Sequence, residues 1–460
     1  MKKNKANGRE VYIRSYRKFI LSLRRKSKKY FPVINTSEKY KKIKSPKSIL
    51  KFVNSFCLLN KCKVDVNNFD GTLNIPKDFS FFYEPAKALT FIHKATKIMS
   101  EGKIKEMTLF YNRVREYCLG AECLLSMALT EARKINPYSD KRGVLINGIY
   151  PVNEQHLEIV RDIGIVSEIE RDEFTEVTDN SDKGGKGKQI IFIKDSIEWE
   201  NASVYANDTK NKTSEEFVKY INNCLMPYNL VLNSSAEDKL KSCMAELLDN
   251  AERHSGLSQK PLWYVRGYVN HMHEFPTCEM AIFNFGNTIP ETFNYLNDSH
   301  FSFREQIQPY VNRHKKVRKM FKNGLVTVAA LQERVSCKNK SASDSNGTGT
   351  MELLDLFQIL HDSLRKLRDV EMKPVMSLVT GNTHIKFDGK FRIIKKKLRN
   401  GDGRKQYYPL NNTGLENPPD RNYIHNMGDV RFPGVMINIR FPLPSEVMED
   451  VEMIKETQAG

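Results

Sequence analysis

From about residue 68, the sequence alternates between short segments with the pattern of β-strands and longer segments with the pattern of amphipathic helices. Residues 85–102 begin with Pro, end with Gly and carry apolar side chains at helical spacing, and residues 118–135 show the same spacing. The other segments of this part are predicted as an extended stretch over 72–83, strands over 104–111, 142–151 and 165–170, and a helix over 153–164. Short links between alternating strands and helices predict an α/β fold, with a sheet backed by helices.

The length of 460 residues predicts two α/β domains with additional terminal segments. We expect a basic N-terminal arm over 1–67, a first domain over 68–200, a second over 215–446, and a tail over 447–460. A linker loop is predicted within 173–215, where "DNSDKGGKGK" combines Gly, Lys and Asp.

The apolar residues and the cysteines indicate where such a chain works. No stretch approaches the roughly 20 continuous apolar residues of a transmembrane helix, and the N-terminus lacks the apolar core of a signal peptide. The eight cysteines are scattered, without a CxxC pair, which is typical of free thiols in a reducing compartment. These features predict a cytoplasmic protein.

The net charge of +18 is concentrated at the N-terminus. Residues 1–50 contain seventeen Lys and Arg against two Glu, with Tyr and Phe interleaved. This pattern is typical of segments that bind nucleic acid or an acidic protein partner. A solvated leader that aids solubility fits the same composition, and acidic lipid is a third alternative.

The order of elements over 70–170 resembles the STAS domain, the small α/β module of bacterial anti-sigma-factor antagonists. In the signalling members of that family, a phosphorylatable Ser opens the helix after the second strand. The corresponding turn here is "CLGA", residues 118–121, which has no hydroxyl side chain. The resemblance therefore implies docking of a protein partner, or a scaffold role, rather than regulation by phosphorylation at this turn.

A further amphipathic helix is predicted over 234–255. Ser234 and Glu237 have capping-box spacing, and Gly256 is a natural residue to end the helix. One face is apolar and comprises Leu240, Met244, Leu247, Leu248 and Ala251. A separate polar stripe contains Glu246, Asn250, Arg253 and His254.

The segments that follow this helix include two Gly-containing turns. Strands are predicted over 261–270 and 278–285, and the second runs directly into "NFGNTI" (284–289). A small-residue loop containing "NGTGT" (346–350) opens a further helix. Strands over 375–381, 383–393 and 432–444 complete the region, and "NRHKKVRKMFKNG" (312–324) is predicted as a basic helix that contacts nucleic acid or forms a solvated face.

In this order, the segments over 230–445 resemble the GHKL ATPases, which include gyrase B subunits, MutL-type repair proteins and histidine kinases. "ELLDNAERHS" (246–255) matches the N-box of the family, and "NFGNTI" matches its DxGxGI box, with Asn for Asp and Thr for the second Gly. The resemblance implies an α/β sandwich of helices on a mixed, mostly antiparallel sheet. It also implies an ATP site composed of Asn250, Arg253, His254, Asn284, Gly286, Thr288, Asn346, Gly347, Thr348, Gly349 and Thr350.

The family roles suit the chemistry of these residues. By resemblance, Asn250 supplies an oxygen ligand to Mg²⁺, and Glu246 orients the water that attacks the γ-phosphate. The Gly-rich loop presents backbone N–H groups to phosphate at a helix N-terminus. Asn284 accepts a hydrogen bond from the adenine amino group without the charge of the family Asp. Lys338 and Lys340 fall in the lid segment of the family.

The resemblance predicts a Mg²⁺-dependent ATPase or a nucleotide-controlled switch of bacterial type, which acts on a protein or nucleic-acid partner. Two alternatives stay open, namely a serine or histidine protein kinase of the anti-sigma-factor class and a non-catalytic nucleic-acid-binding module with a degenerate nucleotide site. A homodimer is a family-level expectation.

Overall fold

The computed structural model describes residues 49–57, 64–66, 69–138, 143–173, 190–196, 206–255, 262–270, 276–344, 346–347, 349–365, 373–397, 404–443 and 448–450. All of them belong to one compact unit, Lys47–Gly460. The predicted arm before residue 49, most of the predicted linker and the tail after residue 450 lie outside the described residues.

The N-terminal part of this unit is an α/β layer. Its parallel sheet has the order β1-β3-β5, formed by Thr72–Asn74, Glu106–Phe110 and Leu145–Ile149. Short strands β2 (Asp78–Phe79) and β4 (Glu116–Tyr117) form a second parallel pair. The helices are α1 (Leu50–Val53), α2 (Pro85–Glu101), α3 (Leu119–Ile135), α4 (Glu154–Asp162) and α5 (Ile165–Glu173). Apolar residues of β1, β3, α2 and α3 share one core, so the predicted α/β character is confirmed.

The strand predicted over 165–170 is wrong, because these residues form helix α5. Ile165 is buried, and Val166 and Ile169 are partly buried against the same core. Apolar residues at positions i, i+1 and i+4 share one face of a helix, whereas a strand would place Ile165 and Val166 on opposite faces.

The main sheet has seven strands, and every neighbouring pair in it is antiparallel. Its order is β14-β11-β10-β15-β9-β8-β6. The strands are β6 (Ile190–Asp195), β8 (Trp263–Asn270), β9 (Thr277–Phe285), β10 (Val375–Gly381), β11 (Thr383–Phe387), β14 (Ile424–Asn426) and β15 (Phe432–Pro442). Two further antiparallel pairs are β7 (Leu230–Leu232) with β16 (Met448–Asp450), and β12 (Ile394–Lys397) with β13 (Arg404–Tyr407).

Both faces of the main sheet are buried, so every residue of β8 and β9 is buried. Met280 and Ile282 of β9 pack on one face, in the core shared with the helices of the C-terminal part. Phe283 and Phe285 pack on the other face, in the core shared with α2 and α3. The N-terminal layer therefore covers the back of the sheet, and the front is left to the second set of helices.

The second set of helices comprises α6 (Ala206–Leu225), α7 (Ser234–His254), α8 (Ile289–Asn294), α9 (Gln308–His314), α10 (Lys322–Ala330) and α11 (Gly349–Arg365), with a π-helix at Ser302–Ile307 and a 3-10 turn at Met226–Tyr228. Helix α7 buries all five predicted apolar residues together with Cys243. Its N-cap is Asn233 rather than the predicted Ser234, because the Asn233 side chain accepts a hydrogen bond from the Ala236 N–H at 2.9 Å. Gly256 lies outside the described residues.

The basic helix predicted over 312–324 is wrong. Helix α9 ends at His314 and α10 begins at Lys322. Between them Lys319 has a φ of 69°, a left-handed conformation that interrupts a helix. The basic residues of this segment are therefore presented by a turn.

Within the described ranges, every helix is too short or too polar to span a lipid bilayer.

Candidate functional site

A cavity of about 150 Å³ lies on the front of the main sheet, between α7, α11 and the segment that follows α10. Most of its lining side chains are apolar: Leu247, Ala251, Ile282, Ile289, Phe293, Ala330, Leu331, Val335, Leu353, Leu354, Met376, Leu378, Phe387, Val435 and Ile437. An apolar cavity of this volume has room for a small planar aromatic group. The walls come from segments that are far apart in the sequence, so the fold is needed to assemble the cavity.

Asn284 is a buried polar residue in the apolar wall. It lies near the end of β9, is 3% exposed, and its Nδ2 atom has no hydrogen-bond partner within the described part of the chain. A buried amide that is left unpaired costs about 1–3 kcal/mol, so a side chain of this kind is a mark of a ligand site. The neighbouring strand approaches closely because residue 434 is Gly, with a φ of 142°, and a Cβ there would collide with the Asn284 carbonyl oxygen.

Helix α7 places four predicted site residues on the same cavity, namely Glu246, Asn250, Arg253 and His254. Glu246, Asn250 and His254 are half-buried, whereas Arg253 is exposed and forms an ion pair with Asp249 one turn earlier. Because α7 buries its apolar stripe in the core, its polar stripe is turned toward the cavity.

The charge state of His254 follows from its surroundings. Burial lowers the pKa of His254, and the positive charges of Arg253 and Lys338 lower this pKa further. The ring is therefore neutral at pH 7 and can donate from one nitrogen and accept at the other. The carbonyl oxygen of His254 accepts a hydrogen bond from the Asn287 N–H at 3.0 Å, which connects the end of α7 to the turn after β9.

The Gly-rich start of α11 meets α7 at Glu246. A Cβ at residue 349 would lie 2.6 Å from the Glu246 Cβ, so the close contact between the two helices requires Gly there. Gly347 has a φ of 98°, and a Cβ at this position would collide with the backbone of Val335. Gly347, Gly349 and Thr350 all line the cavity, while Thr348 lies outside the described residues. The arrangement places the N-terminus of a 17-residue helix at the cavity beside a carboxylate.

Three predicted residues do not line the cavity: Gly286, Thr288 and Asn346. The Thr288 hydroxyl caps α8 and accepts from the Glu291 N–H at 3.3 Å, and the Glu291 carboxylate accepts from the Thr288 N–H at 2.9 Å. Asn346 donates to the Asn339 side chain at 3.1 Å. From the predicted turn, the neighbouring Asn287 and Ile289 line the cavity instead.

Sequence reasoning missed the cavity wall formed after α10, which includes Val335, Ser336 and Cys337. Asn339 orders this segment, because its side chain donates to the carbonyl oxygens of Arg334 at 2.9 Å and Asn346 at 3.3 Å. The only sequence signal is the position of the segment ahead of the Gly-rich loop, next to Lys338 and Lys340. Both lysines are exposed and neither lines the cavity.

Comparison with family models, with curated proteins and with solved structures gives no match for this chain. The functional assignment therefore depends on the residues and on their arrangement around the cavity.

Proposed function

We propose that the chain binds ATP in this cavity, as a GHKL-type ATPase or nucleotide-controlled switch with a STAS-like layer behind its sheet. One observation carries the proposal: Glu246, Asn250, Asn284 and the Gly-rich start of α11 line the same cavity. These are the segments that the family motifs relate to ATP. They come from one helix, one strand and one helix start, and more than thirty residues separate Asn250 from Asn284 and Asn284 from Gly349 along the chain.

The base is assigned to the apolar part of the cavity. Asn284 presents both a donor and an acceptor, and the Watson–Crick edge of adenine offers an amino donor beside a ring-nitrogen acceptor. The unpartnered Nδ2 atom of Asn284 is therefore matched by an acceptor on the base. Binding would satisfy a polar atom that the protein leaves unpaired.

The phosphates are assigned to the polar side of the cavity. Backbone N–H groups at the start of α11 favour negative charge there, and Gly347 and Gly349 allow this helix start to lie against Val335 and Glu246 at the cavity. Asn250 would hold Mg²⁺ through its side-chain oxygen, and a bound Mg²⁺ neutralises phosphate charge and polarises the γ-phosphoryl group. Glu246 is placed beside the helix start, where it would orient the attacking water.

The STAS-like layer supports a scaffold role. At the start of α3, the position of the family phosphoserine, Cys118 is buried and the Leu119 N–H donates to the Glu279 carboxylate of β9. A carboxylate of the same chain thus occupies the helix N-terminus at which a phosphoryl group would be added.

Mg-ATP is expected to stabilise the protein against unfolding by about 2.7 kcal/mol at a hundredfold excess over its dissociation constant. Asn250→Ala should remove the part of this stabilisation that depends on Mg²⁺, because the side-chain oxygen ligand is lost. Thermal unfolding with ATP, with and without Mg²⁺, measures both effects. Asn412→Ala, at an exposed loop position, is the matched control and should behave like the wild type. An unchanged melting temperature of the wild type at millimolar Mg-ATP would contradict the proposal.

Asn284→Ala is expected to abolish discrimination at the 6-position of the base. The wild type should bind ATP about fivefold more tightly than purine riboside triphosphate, which lacks the amino group, since one net hydrogen bond contributes about 1 kcal/mol. The variant should bind the two nucleotides equally. Calorimetric titration of both proteins with both nucleotides isolates the contact, because steric effects of the substitution cancel in the comparison. Equal discrimination by the two proteins would place the base elsewhere.

Radiolabelled ATP separates the enzymatic alternatives. Release of free phosphate indicates an ATPase, and transfer of label to a protein indicates a kinase. If neither phosphate release nor transfer of label is observed and nucleic acid is bound tightly, the non-catalytic module is favoured.

A further inference from the structure

Two basic segments of the chain lie on the surface away from the cavity. The first runs from the end of α9 into the turn before α10 and exposes five cationic residues: Arg313, Lys315, Lys316, Arg318 and Lys319. The second is the two-stranded ribbon of β12 and β13, which contributes Lys395, Lys396 and Lys405.

The two segments meet at one loop, residues 415–416. The buried His314 ring, at the end of α9, contacts the carbonyl oxygen of Leu415 through Nε2 at 3.0 Å. The next residue, Glu416, pairs with Lys396 of the ribbon at 3.6 Å. Its own backbone N–H lowers the pKa of Glu416 most, and the charges of Lys396 and Arg313 lower it further, so one carboxylate lies within the field of both segments. We call these eight cationic residues and this loop the basic surface.

The ribbon carries like charges in register. Lys396 lies opposite Lys405. Like charges directly opposite each other on an antiparallel pair are destabilising, so the arrangement is costly for the free protein. A polyanion bound across the ribbon would remove that cost.

The shape and composition of the basic surface favour nucleic acid over other polyanions. A two-stranded ribbon fits the major groove of a duplex, and cations in an adjacent turn can contact the flanking phosphates. Tyr407 adds a half-buried aromatic ring beside Lys405, whose Nζ lies 5.5 Å from the ring centroid. Insertion into a membrane surface requires an apolar face. In the exposed turn that the structure describes, Val317 is the large apolar side chain at the surface, and one such side chain does not form an apolar face.

We propose that the basic surface binds the sugar-phosphate backbone of nucleic acid. This is a second binding function, independent of the nucleotide in the cavity. Its contacts are ionic, so binding depends steeply on salt and weakly on sequence.

The test compares two triple variants of the full chain with equal loss of charge. K316Q/K396Q/K405Q removes three cations of the basic surface, and K94Q/K103Q/K105Q removes three exposed lysines of the N-terminal layer. Binding of a 24-base-pair DNA duplex is measured by fluorescence anisotropy between about 50 and 200 mM salt. The first variant should raise Kd about tenfold or more and reduce the slope of log K against log salt by about 2–3, whereas the second should resemble the wild type.

Folding of the first variant is checked by its melting temperature, which should stay close to that of the wild type, because the repulsion between Lys396 and Lys405 is relieved while the exposed pair of Lys396 with Glu416 is lost. Equal Kd values and salt slopes for the two triple variants would overturn the proposal. The proposal would also be overturned if duplex binding did not depend on these lysines, whereas binding to vesicles of phosphatidylcholine and phosphatidylserine, or to polyglutamate, did.

Discussion

Glu246→Gln is expected to reduce ATP hydrolysis by about 10²–10⁴-fold while leaving the affinity for ATP within a few-fold of the wild type. Glu246 is half-buried, lines the cavity and contacts the Gly-rich start of α11, where phosphate charge is favoured. Asn250 follows four residues later, about 6 Å along the axis, so the proposed water-orienting group and the proposed metal ligand would share one rigid scaffold. Gln cannot accept the proton, yet it preserves the shape of the side chain. Single-turnover hydrolysis and equilibrium ATP binding, measured on both proteins, check the prediction.

Asp238→Asn is the matched control, because Asp238 is an exposed carboxylate on the same helix and outside the cavity. It should hydrolyse ATP as the wild type does. If Glu246 were only a surface residue of α7, its substitution would cost less than about 0.5 kcal/mol of stability and would leave hydrolysis unchanged. Equal rates for wild type and Glu246→Gln would therefore exclude Glu246 as the catalytic carboxylate.

The parts of the fold that were predicted from sequence are those determined by local periodicity. The apolar stripe of α7 shows from its own residues which side of the helix faces a core. Strands β9 and β10 were likewise predicted from their own residues, and both are buried on both faces. The start of α11 was predicted in the same way. The candidate site residues on α7 were assigned by the resemblance to the N-box, because the apolar stripe alone leaves the opposite face free to be a solvated surface.

The errors arose where distant residues decide the outcome. Residues 165–170 are short and apolar enough to suit a strand or a helix, and packing on the N-terminal core selects the helix. The basic segment 312–324 has helical composition, but the buried His314 and the left-handed Lys319 end the helix early. The wall at 335–337 has no periodicity of its own, since its position depends on contacts made by Asn339.

The sequence around Thr288 contains a helix-capping signal, which was interpreted instead as part of a motif that resembles the DxGxGI box. The spacing of Thr288 and Glu291 around Pro290 is that of a capping box, and it predicts the start of α8. Arg431 holds Glu291 at 3.0 Å, so the capping box is tied to the start of β15. A Gly at this position would keep the backbone N–H that donates to the Glu291 carboxylate, but it would have no hydroxyl to accept from the Glu291 N–H. Thr288 therefore caps a helix outside the cavity, and its side chain does not line the cavity.

Arg440→Met is expected to destabilise the protein by about 3–5 kcal/mol, because it leaves a buried carboxylate without its cation. Arg440 of β15 pairs with Glu279 of β9 at 2.8 Å, and their side chains are 15% and 5% exposed. The guanidinium also donates to the Tyr117 carbonyl oxygen at 2.8 Å and lies 5.1 Å from the Phe82 and Tyr117 ring centroids. One arginine therefore joins the back of the main sheet to the N-terminal layer.

The double variant Glu279→Gln/Arg440→Met distinguishes an unpaired charge from a loss of packing. The amide introduced by Glu279→Gln would keep an acceptor for the Leu119 N–H without a buried charge, and Met would fill much of the space of the Arg stem. The double variant should recover more than half of the stability lost in Arg440→Met, as measured by urea unfolding. A loss below about 1 kcal/mol in Arg440→Met, which is the range of exposed ion pairs, would mean that the pair contributes little to the attachment of the two layers. A large loss that the double variant does not recover would assign the effect to the packing of Arg440 on Phe82 and Tyr117.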